Sequence, residues 1–369
     1  MNSNSVIHFT DDQYTALRST YRKWWANELP RPICPIVTGG HPSARKPSPY
    51  PTLCFATAWD LSISPEQLID ARDWELSTQR FHGEAFPMQE MSPFGPGAAA
   101  AFLGCTPVSA PNTVWFEPPR PDIPIEELHF EYDENNPWLR RVMNVYEAGL
   151  EKWGNRVIMG MTDLGGVMDI LASFRGTENL LMDLYDDPDE VLRCVREIQA
   201  AWFVYYDKIN AMLASAGVPG YSHWFRIYGE QPHYILQSDF SYMIGPDMFA
   251  KFVEPELRSS AARIHRAVYH LDGVGELPHL DQLLAIDDIH GIQWVPGDGP
   301  ASEQDWSEVQ MRIEDAGKKM LHWTQKPDGS LRDHVRNPGM AFLQWREYDA
   351  SGLDEAKAYG AMHGVEVNV

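Results

Sequence analysis

The chain has little that would staple it, anchor it in a membrane or draw it to nucleic acid. Its 369 residues include four cysteines, Cys34, Cys54, Cys105 and Cys194, scattered without a CxxC pair or a Cys/His cluster. That spacing argues against a disulfide framework and a thiolate-rich zinc site, and makes a reducing cytoplasm the expected compartment. No apolar run approaches the roughly 20 residues of a membrane span, so no membrane is expected as a partner. The opening MNSNSVIHFTDDQY lacks the basic start and long apolar core of a secretory signal. Positive charge is scarce: 30 Lys and Arg stand against 52 Asp and Glu, a formal net charge of -22. A field of that sign repels phosphate backbones, so nucleic acid is not an expected partner either. There is no repeat or low-complexity linker. No GxGxxG follows an apolar run, which leaves a dinucleotide fold without support.

What is present is a large core-forming fraction, 44% hydrophobic with 13 Trp, arranged in alternation. Short apolar runs at 33–37, 81–85, 157–161, 223–227, 267–270, 291–295, 320–324 and 341–345 read as strands. Helical patterns lie between most of them. Asp187-Pro188-Asp189-Glu190 opens a long helix to about Ala214, with acids in its first turn where the dipole favours them. Gly245-Pro246-Asp247 opens another through roughly Arg266, Ser302-Glu303 a third, and Leu353-Asp354-Glu355 the last. Repeated βα units on this scale predict an α/β fold, a single-domain (β/α)8 TIM barrel over residues 1–369, with an open doubly wound sheet as the alternative. The Pro- and Gly-rich segment from Glu90 to Trp153 reads as a long loop insertion between the second and third strands, with a short hairpin around Val114-Trp115-Phe116, suited to a lid or a dimer surface.

Barrel enzymes keep their chemistry at the C-terminal ends of the strands, which turns the strand reading into site candidates. These are Glu84 after strand two, Asp163 after strand three, Arg226 and Tyr228 after strand four with Asp239 beyond, and His270 and Asp272 after strand five. Trp294 follows strand six, His322 and Trp323 strand seven, and Gln344 and Glu347 strand eight. The pair His270 and Asp272 is the sharpest. Two residues apart on a strand share a face, so the two side chains project together. They can bind a metal, orient a general base or hydrogen-bond a substrate; the plainer reading is a buried His satisfied by an Asp. A catalytic zinc needs three protein ligands and an open position, and Asp163, Asp239, Glu276, His322 and Glu347 are candidate thirds. His279 and Asp281 read as a cap or loop anchor.

Several runs carry a family resemblance. DLGGVMDIL from Asp163, RGTE from Arg175, LYDDPDEV from Leu184, DFSYMIGPDMF from Asp239, and YHLDG from Tyr269 through QWVPG from Gln293 resemble the uroporphyrinogen decarboxylase superfamily. The resemblance covers most of the chain after about Arg80 and implies a (β/α)8 barrel. It implies one of two chemistries: cofactor-free decarboxylation, or zinc-dependent methyl transfer involving a separate corrinoid protein. Proteins of that superfamily often form dimers, so a homodimer is one candidate assembly and the oligomeric state stays open. The glutamine-alanine-glycine-arginine-tyrosine motif of the decarboxylases is absent near the first strand, where this chain has Pro30-Arg31-Pro32-Ile33-Cys34-Pro35. The methyltransferases use His-x-Cys after strand five and Cys after strand eight. Here His270 matches the His, Asp272 stands at the first Cys, and the last strand leads into Arg346-Glu347 with no Cys.

The resulting expectation is an enzyme binding zinc or another divalent metal through His270, Asp272 and Glu347, harder than a thiolate site and better suited to oxygen ligands. Asp163 and Asp239 would orient a small methylated substrate or shuttle a proton. Trp224, Trp294 and Trp323 would wall the pocket, with Glu84, Arg226, Tyr228 and His322 on the substrate. The alternatives are a metal-free decarboxylase or lyase, with His270–Asp272 as proton donor pair and Arg226 on a carboxylate, and a ligand-binding protein without chemistry.

Overall fold

The alternation of side chains along Ala267–Asp272 organises the molecule. In this computed structural model, which describes residues 7–297, 299–322 and 324–368, that strand lies in a five-stranded parallel sheet. The order is Ala341–Phe342, Lys319–Leu321, Ile289–Val295, Ala267–Asp272, Ile235–Gln237. Tyr269 and Leu271 turn toward the helix layer and join the large core cluster. Val268 turns the other way, into a second cluster with Ile33, Phe86, Met88, Ile158, Ile235, Leu321 and Phe342. The helix Asp11–Trp25 closes one end of that second cluster with Tyr14, Leu17, Tyr21 and Trp24. It is started by a Thr10–Gln13 capping box, the reciprocal bond pair this spacing favours.

The remaining strands complete a mixed α/β architecture. Pro35–Thr38 runs parallel to Arg346–Tyr348. The last strand region is broken: Ala341–Phe342 stays on the five-stranded sheet, while Ile33 donates its N–H to Ala341 O and accepts from Leu343 N. Met88–Gln89 runs parallel to Ile158–Met159. The hairpin expected around Val114 is present as Thr106–Ser109 against Val114–Glu117. It lies within the long segment after Gln89, which also holds the helices Ala98–Phe102 and Pro137–Trp153. The long helix is Pro188–Ser215. The segment expected as one helix from Gly245 to Arg266 forms two, Pro246–Phe252 and Glu254–Arg263. Among the described residues no helix is long and apolar enough to cross a membrane.

Two strand expectations are corrected. Residues 223–227 form no strand; they are loop, and the strand of that unit is Ile235–Gln237. The apolar run there includes Trp224, Phe225 and Ile227, but Arg226 sits at φ +57 in the left-handed region, which an extended strand cannot accommodate. The second correction is direction. Arg80–Gly83 pairs antiparallel with Pro35–Thr38, and the chain reverses so that Met88–Gln89 is the parallel member. Between Ile158–Met159 and Ile235–Gln237 no ladder runs among the described residues; Met161 N donates instead to Ser222 O in the intervening loop.

Candidate metal centre

The C-terminal end of Ala267–Asp272 gathers titratable groups. His270 and Asp272 leave the strand on one face, with Nε2 of the imidazole 3.9 Å from a carboxylate oxygen of Asp272. The third member is Asp239, at the start of the short helical turn Asp239–Met243 that follows the neighbouring strand. One ligand atom from each of Asp239, His270 and Asp272 lies within 4.8 Å of the other two. The set is one imidazole nitrogen and two carboxylates, borderline to hard, and suits zinc or another divalent ion.

The surroundings orient these groups. Gln293, opposite His270 in the parallel register, places its carbonyl oxygen 2.8 Å from Nδ1. An amide oxygen only accepts, so Nδ1 carries the proton and Nε2 keeps its lone pair toward the acids. Trp224 meets the His270 ring edge to face at 5.1 Å. Asp169 accepts from the backbone N–H groups of Asp239 (3.1 Å) and Phe240 (2.7 Å), pinning the turn that carries Asp239. Gly166 makes room for this: a Cβ there would stand 2.3 Å from both an Asp169 carboxylate oxygen and Gln237 O. Burial, and then the charge of Asp239, push the Asp169 carboxyl up to about 8. Burial raises Asp239 too, partly offset by His270.

Asp163 lies behind this group. Buried, it accepts from Gly165 N at 3.0 Å and from the Tyr234 hydroxyl at 3.3 Å, and burial raises it to about 6. Glu276 is fully buried; the Tyr269 hydroxyl donates to it at 3.2 Å, and burial with the charge of Asp239 holds it well above the usual carboxylate range. His322, at φ +72, donates from Nδ1 to Trp294 O at 3.3 Å. Burial, with a smaller push from His270, lowers its pKa. Non-glycine residues at positive φ gather at functional ends more than elsewhere.

Other candidates lie apart. Glu347 is not among the residues gathered at His270; it lies on Arg346–Tyr348, in the sheet with Pro35–Thr38, and pairs with Arg226 at 2.9 Å. Arg226 also pairs with Glu90 and lies over the Trp345 ring, so two carboxylates already meet its charge. Trp294 is fully buried and packs on Trp306 at 5.2 Å, because it follows Gln293 on the strand and therefore faces the helix layer. Tyr228 is buried at the other end, in the cluster with Tyr21 and Phe86, bonded to Pro219 O. Glu84, just after the antiparallel strand, holds Arg31 and accepts from Cys34 N at the start of the first strand, so it too is remote. Trp323 lies outside the described residues. His279 anchors a loop, bonded to Ser241 O at 2.9 Å and stacked on Phe249, and Asp281 pairs with Arg312. The sequence reading missed Gln293 and Asp169. Gln293 was findable: it occupies the strand position beside His270, one register step across.

No known family model matches the chain, and no curated protein matches it in sequence. In three dimensions it is similar to a methyltransferase from Methanosarcina mazei, with a TM-score of 0.56 and 14% identity. The match covers 94% of this chain and 98% of that one. Likeness at that identity speaks to the fold, a mixed α/β arrangement of helices on parallel strands.

Proposed function

We propose that the chain is a metal-dependent methyltransferase-like enzyme acting on a small methylated substrate, with a separate corrinoid protein as methyl carrier. In this reading the strands form the ring of a (β/α)8 barrel of the uroporphyrinogen decarboxylase superfamily. The interior cluster that draws on strands from Ile33 to Phe342 supports that arrangement. The observation that carries the function is the convergence of Asp239, His270 and Asp272, with the imidazole tautomer set by Gln293.

Those three residues would hold a divalent ion, and they replace the earlier set in which Glu347 was third. Such an ion, when bound, supplies Lewis-acid polarisation of a substrate heteroatom. The protein's own groups do the rest. Gln293 holds His270 in one tautomer and ring orientation. Asp169 keeps the Asp239 turn in register. Trp224 walls the imidazole and limits water beside it. Asp163, raised to about 6 and hydrogen-bonded to Tyr234, would take up or release a proton at the rear of the site about one unit below neutral pH. The decarboxylase alternative loses its carboxylate clamp, since Arg226 is already paired with Glu90 and Glu347.

Elemental analysis of the purified protein tests this reading. About one divalent ion per chain is expected, lost in His270→Ala and in Asp239→Ala and kept in Glu347→Ala. Retention in Asp239→Ala with loss in Glu347→Ala would restore the earlier triad. No ion in the folded parent protein would sink the metal reading, and transfer assays with methyl donors and corrinoid proteins would then have no basis.

A further inference from the structure

At the ends of the last two strands of the parallel sheet lies a cavity of about 260 Å³ with a basic lining. His322 forms one wall, and Lys326, Arg332 and Arg346 contribute three cations, with Thr324 and Gln344 as neutral polar groups. No Asp or Glu is among its described lining residues. In a chain of net charge -22, three cations around one small hollow with no carboxylate among its described lining is a departure that composition does not explain.

The local sequence builds this wall. Gln325 and Leu331 form an antiparallel bridge, and Lys326 N donates to Ser330 O at 2.8 Å, closing a tight turn. Asp328 holds the turn by accepting from Ser330 N and Oγ at 2.9 and 2.7 Å. Gly329, at φ +86, approaches so close to the Tyr359 ring that a Cβ would stand 3.0 Å from it. Gln325 donates to Gly329 O and to the Tyr359 hydroxyl, both at 2.7 Å, tying the turn to the last helix, Leu353–Met362. Lys326 and Arg332 thus stand on the two arms of one rigid turn. Arg346 comes from the neighbouring strand, its guanidinium 5.1 Å from the Tyr359 ring centroid.

Two details point to a ligand. The Nε of Arg346 is buried with no hydrogen-bond partner among the described residues, and a charged donor left that way is costly unless something accepts from it. The carboxylate paired with Lys326 belongs to Asp333, whose side chain is 91% exposed. A pair that open to water contributes little and yields readily to a better-placed anion.

We propose that this cavity binds an oxyanion, a carboxylate or a phosphate, through the guanidinium of Arg346 with Lys326 and Arg332 as supporting charge. An arginine fork matches either group by two parallel hydrogen bonds. His322 lines the cavity and lies close enough to His270 to feel its charge, and the anion would then mark one end of a small ligand whose other end reaches Asp239, His270 and Asp272. That assignment of the anion to the substrate rests on the methyl-transfer reading; the anion site itself does not.

The test is calorimetric titration of the full chain, after chelation, with inorganic phosphate and separately with propionate. Saturable binding of at least one is expected, and whichever binds identifies the group. Arg346→Gln should weaken it about tenfold or more, with Arg346→Lys intermediate because charge stays and the fork is lost. Lys326→Gln should weaken it less. His270→Ala/Asp272→Ala should leave it unchanged while removing the metal. No saturable binding of either anion, or equal affinity in folded Arg346→Gln, overturns the proposal; should that variant not fold, equal affinity in both Arg346→Lys and Lys326→Gln overturns it. Arg346-dependent binding in a protein that never holds a metal would sink the methyl-transfer reading and leave the anion site standing.

Discussion

At the scale of single residues, the site depends on what stands behind its ligands. In the proposed metal site His270 would serve as a ligand because Gln293 accepts a hydrogen bond from its Nδ1–H. Gln293→Leu keeps the size of the side chain and removes the acceptor. Loss of such a supporting bond typically lowers metal affinity by about 10- to 100-fold, which a competition titration against a chromophoric chelator would read. Unchanged affinity would mean that the imidazole is oriented by packing against Trp224 alone. Gly166→Ala probes the other ligand: the new methyl group would push on Asp169 and on Gln237 O, loosening the Asp239 turn, and metal affinity should fall without loss of His270. Residues such as His270, Asp272 and Asp239 could be read from the sequence because they sit at or just beyond strand ends. Trp294 was assigned to the pocket by the same rule and faces the other way. A strand end names two candidates of opposite facing, and only the register against the neighbouring strand separates them.

At the scale of elements, helices and central strands were readable from pattern, whereas the fourth unit was not. The run at 223–227 is apolar enough for a strand, and nothing in it signals that Arg226 will adopt a left-handed backbone to pair with Glu90 and Glu347, residues 136 and 121 positions distant. Both pairings are long-range, so no local pattern encodes them. The reversal after Arg80–Gly83 escaped for a related reason, since Glu84 is held by Arg31 and Cys34 N across the fold. The first helix is the element whose role the sequence concealed most. Trp24 is fully buried, its ring 6.0 Å from Phe342, and Lys319 reaches its carbonyl while bonding Asn27 and Gly339. The helix therefore caps the interior cluster. Trp24→Ala should cost about 3–5 kcal/mol, as other large-to-small aromatic changes in cores do, measured by urea unfolding. A cost near zero would show the helix to be dispensable to that core.

At the scale of the whole molecule, buried ionisable groups set how stability varies with pH, and they oppose one another. His82 and His233 are buried and lowered to about 4, chiefly by desolvation. Between their unfolded value of 6.5 and 4 the unfolded chain takes up protons that the native chain refuses, so stability falls as pH falls through this window, by up to about 3 kcal/mol for each. Asp163 works in the other direction. Its carboxyl is raised by burial from 3.8 to about 6, so the native state takes the proton first, and its contribution is complete below 3.8 and lost as pH rises through 6. Asp169, Asp239 and Glu276, also raised by burial, act in the same direction as Asp163, so the contribution of one group is read from a single substitution. Asp163→Asn retains an acceptor for Gly165 N and Tyr234 while removing the titration. The variant should gain stability relative to the parent at pH 7, gain less at pH 5, and so show the steeper fall in melting temperature between those values. The measurement is made with chelator present, so that ligand binding at Asp239 does not enter. Parallel melting curves for the two proteins across pH 5–7 would mean that Asp163 titrates near its unfolded value, and the group that exchanges a proton behind the proposed metal site would have to be sought elsewhere, with Glu276 and its Tyr269 bond the next to replace.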